Sequence, residues 1–102
     1  MIGTNYVEKG RNVPMHKYQT YVKEFLVGYM IAFRREYGLT KTAMSARLRM
    51  DPRSYWSIEA GKYSLSAASL MFLLISLEDV QTLELIHAFE SYLVPIEQGV
   101  SV

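Results

Sequence analysis

Cysteine is absent from this chain of 102 residues, which excludes a disulfide framework and any thiolate metal site. Histidine is almost absent: His16 and His87 lie far apart with no acidic pattern around them, so no metal is expected. The glycines at 3, 10, 28, 38, 61 and 99 are isolated and make no phosphate-cradling loop. No carboxylate pair and no nucleophile–base spacing is present, so no catalytic residues, no cofactor and no enzyme are expected. The longest apolar run, residues 70–75, is far too short to span a bilayer. Residues 1–10 are polar and unlike a secretory signal peptide, and the expected location is the cytoplasm. Alternating strand patterns, internal repeats and low-complexity tracts are missing too.

Positive charge is missing from one end only. Residues 63–102 hold no Lys or Arg, and with Glu78, Asp79, Glu84, Glu90 and Glu97 they sum to −5. Residues 34–62 carry Arg34, Arg35, Lys41, Arg47, Arg49, Arg53 and Lys62 against Glu36, Asp51 and Glu59, a balance of +4. The overall +1 therefore conceals a polarised molecule, with a middle segment suited to a polyanion and a C-terminal third that is not.

Half the residues are apolar, enough for one helical core at this length. Residues 1–16 lack an apolar period and are expected to form an arm, residues 17–95 one helical domain, and residues 96–102 a tail. Val22, Phe25, Leu26, Tyr29, Phe33 and Tyr37 recur at helical spacing and predict a first helix over 19–37, closed by Gly38. Gly28 inside it suggests close packing by a neighbour. Thr40 is the expected N-cap of a short second helix reaching Leu48. Asp51 caps a third, with Pro52 at its first position, and Gly61 stops it. Ser66 caps a fourth helix through Leu77. A fifth is expected from Glu78 or Asp79 to about Val94, ending before or at Pro95. The expectation is all-α, with five helices and short linkers.

Residues 38–62, GLTKTAMSARLRMDPRSYWSIEAGK, carry the functional argument. Two short helices joined by a few residues must pack steeply, with apolar residues at fixed offsets and one small residue at the crossing. Met44, Leu48, Met50, Tyr55 and Ile58 supply the first, and Ser45 the second. Arg53, Ser54, Trp56 and Ser57 remain for the outer faces of the third helix, whose N-terminus would offer a positive dipole end to phosphate.

This segment resembles the Cro/C1-type (XRE, lambda-repressor-like) helix-turn-helix family over about residues 31–77. Residues 31–38, IAFRREYG, are similar to the end of that family's first helix. Leu39 and Thr40 resemble its leucine and capping hydroxyl, residues 58–62, IEAGK, its recognition-helix ending, and Leu65, Ser66 and Leu70 the following loop and helix. The resemblance implies a recognition helix in the major groove, a supporting helix across the backbone and a symmetric dimer. The chain departs from the family at three positions. Lys41 stands where a bracing glutamine is common. Arg49 replaces the turn glycine and must adopt a left-handed or adjusted conformation at some cost. Pro52 occupies a position from which many members read a base.

The expected DNA-binding residues are Lys41, Arg49, Arg53, Ser54, Trp56, Ser57 and Lys62. Arg53 is the candidate base reader, through a bidentate fork to guanine, with a single phosphate contact as its alternative. Lys41, Arg49 and Lys62 would meet phosphates or stand as plain surface charge. Trp56 would touch a thymine methyl or sugar, or pack into the core beside Tyr55. Arg34, Arg35 and Arg47 fit a solvated helix face or pairing with Glu36 and Glu59, and His87 fits an interior or interface position.

The fourth helix reads apolar all round and must be covered on all sides. The fifth adds Leu83, Ile86, Phe89 and Leu93 on one stripe. The expected partners are therefore double-stranded DNA and a second copy of the chain, joined through helices 4 and 5 with Leu85, Phe89, Tyr92 or Leu93 near the centre. The function expected from these features is a sequence-specific transcriptional regulator, a dimeric repressor in its simplest form. The alternative is a protein-interaction adaptor or antitoxin-like component that uses the apolar C-terminal helices.

Overall fold

A computed structural model describes residues 13–99. These residues form five helices and no strand: α1 (Met15–Glu36), α2 (Lys41–Arg47), α3 (Pro52–Glu59), α4 (Ala67–Ile75) and α5 (Asp79–Glu97). None is long and apolar enough to cross a membrane.

Local chemistry sets most of the boundaries. Thr40, Asp51 and Ser66 each accept a backbone N–H of the first turn through a side-chain oxygen, from Ala43, Ser54 and Ser69. Glu78 and Gln81 form a reciprocal capping box at the head of α5. Gly38 at φ 64° and Gly61 at φ 82° close α1 and α3 in the left-handed region. At Gly38 the next amide, that of Leu39, reaches back to the Arg34 carbonyl at 2.8 Å.

The core is one cluster centred on Met30, Met44, Leu48, Tyr55 and Leu73, all with no exposed surface, and joined by Leu26, Phe33, Ile58, Leu77 and Leu85. Leu26, Met30 and Phe33 mark the inner stripe of α1. The helices α2 and α3 pack on each other, and α1 meets both α3 and α5. Ser45, also buried, satisfies its hydroxyl on the Thr42 carbonyl at 2.6 Å. α1 and α5 run antiparallel: Tyr37 near the end of one accepts a hydrogen bond from Gln81 near the start of the other. At the opposite end the Tyr18 hydroxyl donates to Glu97. Between these points Phe25 packs with tilted rings against Phe89 and Tyr92, with centroids 5.1 and 5.6 Å away.

Several expectations change. α1 begins at Met15, inside the segment read as an arm, because Pro14 in extended conformation offers its carbonyl to the Lys17 amide at 2.9 Å. Residues 1–12 of that arm and residues 100–102 of the tail lie outside the described residues. Gly28 receives no neighbour: a Cβ there would meet nothing within 4 Å. α5 runs through Pro95 to Glu97. Proline removes only its own N–H, and the Gln98 amide still reaches the Val94 carbonyl at 3.0 Å. Within its own chain α4 is covered on one side only. Leu73 is its only fully buried side chain, while Met71 and Ile75 are 58% and 64% exposed. Leu85 and Leu93 turn inward to the core rather than outward to an interface, and His87 is exposed rather than interior.

Candidate nucleic-acid interface

The third helix is placed by a polar knot as well as by its apolar face. Arg34 of α1 donates from Nε to Glu59 at 2.7 Å and from Nη2 at 3.2 Å, and its Nη1 reaches the Leu39 carbonyl at 3.2 Å. The Tyr55 hydroxyl donates to the same Glu59 carboxylate from one helical turn away. Burial of Glu59 opposes its ionisation. The Arg34 guanidinium, the Tyr55 hydroxyl and the nearby positive charge of Lys41 outweigh that penalty and hold its pKa below the ordinary carboxylate value. Burial first, and the Glu59 carboxylate second, push the Tyr55 phenol well above its ordinary value. The knot fixes the end of α1, the entry to α2 and the last turn of α3 to one another.

With Tyr55 and Ile58 inward, α3 turns Arg53, Ser54, Trp56 and Ser57 the other way. Arg53, Ser54 and Trp56 are exposed, Trp56 by 52%, and Ser57 is half-buried. Trp56 therefore lies on the outer face and not in the core. Arg53 and Ser57, four residues apart, share one face. Together with Asp51, Ser54, Ile58 and Tyr63 they line a shallow depression of about 430 Å³. Lys41, at the first turn of α2, is exposed, and Lys62, just past Gly61, stands beside the end of α3.

The start of α3 differs from the expected free dipole end. Pro52 has no N–H, Asp51 takes the Ser54 amide on its carboxylate at 3.2 Å, and the Asp51 carbonyl takes the Tyr55 amide. A carboxylate already sits where a phosphate would be drawn. Arg49 adopts the left-handed backbone expected of it, at φ 55°. Its guanidinium carbon lies 4.6 Å from the Phe72 ring centroid, and Nη1 donates to the Arg47 carbonyl at 2.8 Å. Six of the seven expected contact residues thus belong to α3 or to positions beside it, and Arg49 is engaged with α4.

Two features escaped the reading of the sequence. The Tyr55–Glu59 contact had a local signal in its four-residue spacing on one helix. The platform that Phe72 makes for Arg49 had none, because 23 residues of chain separate them. No family model, curated protein or solved structure matches the chain.

Proposed function

We propose that this chain is a sequence-specific double-stranded DNA-binding protein of the Cro/C1-type, lambda-repressor-like helix-turn-helix kind. On this reading it regulates transcription, in the simplest form as a repressor that occupies its site. The observation that carries the proposal is the outward face of α3, where Arg53, Ser54, Trp56 and Ser57 project from a helix locked by the Arg34–Glu59–Tyr55 knot, with Lys41 and Lys62 nearby. In this arrangement α3 enters the major groove and α2 lies across the backbone. Arg53 reads guanine, and Ser54 and Ser57 supply short hydroxyl contacts. Trp56 covers a thymine methyl or sugar, and Lys41 and Lys62 meet phosphates. Arg34 takes no part, since Glu59 neutralises it.

Fluorescence anisotropy with a pool of random duplexes, followed by selection from that pool, tests the reading. The expected result is binding at low salt that weakens steeply as salt rises, and enrichment of a defined motif. Absence of binding at low salt overturns the proposal. The second reading, an adaptor or antitoxin-like component, is favoured by the apolar side chains left exposed on α4 and α5, and it survives that result.

A further inference from the structure

Between α1, α4 and α5 lies a hollow of about 250 Å³. Phe25 and Leu26 of α1, Leu70 and Leu74 of α4, and Leu85 and Phe89 of α5 form its walls, and no polar group lines it. Val22 and Ile86, the most exposed of the lining residues, mark its open side. Leu26 and Leu85 belong to the buried core, and the Phe25 and Phe89 rings hold each other at 5.1 Å. The hollow is therefore part of the packed structure and not a gap between loose side chains. Water inside it gains no hydrogen-bond partner from such walls. A concave apolar site of this kind is what a hydrophobic ligand requires.

We propose that this hollow binds a small aromatic molecule that carries no negative charge. The inference goes beyond the DNA-binding reading and stands without it. Size sets the first limit. An apolar cavity of about 150 Å³ accepts benzene, so this one has room for about ten carbon atoms. The walls set the second. Phe25 and Phe89 offer ring contacts to an aromatic guest, which gains from them beyond the area it buries. Charge sets the third. Glu84 and Glu90, both exposed, bracket the lining residues of α5 in sequence. Residues 63–102 hold no Lys or Arg, so neither α4 nor α5 supplies a cation. Tyr92, packed on Phe25, donates to Glu24 at 3.4 Å, which sets a third carboxylate on that side. Lys23, next to Val22, lines a different depression with His16 and Ser64. A carboxylate at the protruding end of a guest would meet these acids with no cation to offset them, whereas an ammonium or a hydroxyl would not.

Three probes that share one ten-carbon tail and differ in charge test this on the full chain: phenylbutylamine, phenylbutanol and phenylbutanoate. Isothermal titration calorimetry at neutral pH should show saturable binding of the amine and the alcohol, and both should raise the melting temperature. Phenylbutanoate should bind at least about tenfold more weakly than either. Leu74→Phe, which fills the hollow, and Ile86→Trp, which covers its open side, should each weaken the amine and the alcohol at least about tenfold. Met71→Trp, on the exposed face of α4 outside the hollow, should leave both unchanged. Circular dichroism checks the fold of each variant, and Ile86→Trp, at an exposed position, decides the matter if Leu74→Phe fails to fold. The proposal is overturned if neither the amine nor the alcohol binds saturably, if phenylbutanoate binds as well as they do, or if a folded Ile86→Trp binds them like the parent.

Discussion

Replacing Tyr55 by phenylalanine tests whether the knot around Glu59 holds the fold. Tyr55 has no exposed surface, and its hydroxyl donates to a carboxylate that also receives two guanidinium bonds. Phenylalanine keeps the ring and its packing, so no cavity opens and only the charge-assisted hydrogen bond disappears. Such bonds contribute about 1.5–3 kcal/mol. For a domain of this size each kcal/mol shifts the melting temperature by roughly 4–8 °C. The effect depends on pH with a definite sign. The pKa of Glu59 in the folded protein lies below its ordinary value of 4.5, so the ionised carboxylate stabilises the fold above that pH and ceases to as pH falls through the folded value. The pKa of Tyr55 is raised from 10.0, so its hydroxyl keeps its proton through the neutral range. The parent and Tyr55→Phe should therefore differ most at neutral pH and converge in acid, as pH falls through the folded pKa of Glu59. Urea unfolding followed by circular dichroism measures both differences. A neutral-pH difference within about 0.5 kcal/mol, the size of an ordinary surface substitution, would refute the reasoning. So would a difference in acid as large as the neutral one.

Gly28→Ala should stabilise the chain by up to about 1 kcal/mol, since a helical glycine with open space around it has only its entropy to lose; the same unfolding assay checks this. Thr40→Ala and Asp51→Ala should each cost about 1 kcal/mol by removing a helix cap, measured as a lower urea midpoint at unchanged slope. In DNA binding, Arg53→Ala should relax preference at one base pair, while Lys41→Ala and Lys62→Ala should weaken all sequences alike and flatten the logarithmic salt dependence by about 0.9 for each phosphate no longer neutralised. Arg49→Ala should leave that salt slope where it was, because its guanidinium rests on Phe72, and a flattened slope would return Arg49 to the phosphates.

The parts of the fold legible in the sequence are those whose cause is local. Thr40, Asp51 and Ser66 announce helix starts because a short polar side chain beside an apolar run can reach its own helix's first amides, and Gly38 and Gly61 announce ends because glycine, without a Cβ, enters the left-handed region freely. The left-handed Arg49 follows from the turn it must complete. The start of α1 was hidden because Met15, His16 and Lys17 are all exposed, with no inward period to read. In α4 nearly every residue is apolar, so periodicity could not say that Leu73 faces inward while Met71 and Ile75 face out. The outward set on α3 was legible from the inward positions of Tyr55 and Ile58. The engagement of Arg49 with Phe72 needed the third dimension.

Mechanically, α3 is a short cantilever. From Tyr55 onward it is clamped: Tyr55 and Ile58 are sunk in the core and Glu59 is tied to α1, whereas Arg53 and Ser54 at its first turn are exposed, with Asp51 capping them. A beam fixed at one end concentrates its compliance at the other. Small changes of tilt then cost little at the core yet displace the Arg53 guanidinium, which stands on a long side chain at the free tip. Pro52 at the outer end of that overhang stiffens the backbone there, because its ring fixes φ. The one arginine on the outer face of α3 thus sits where the helix can still adjust to the surface it meets.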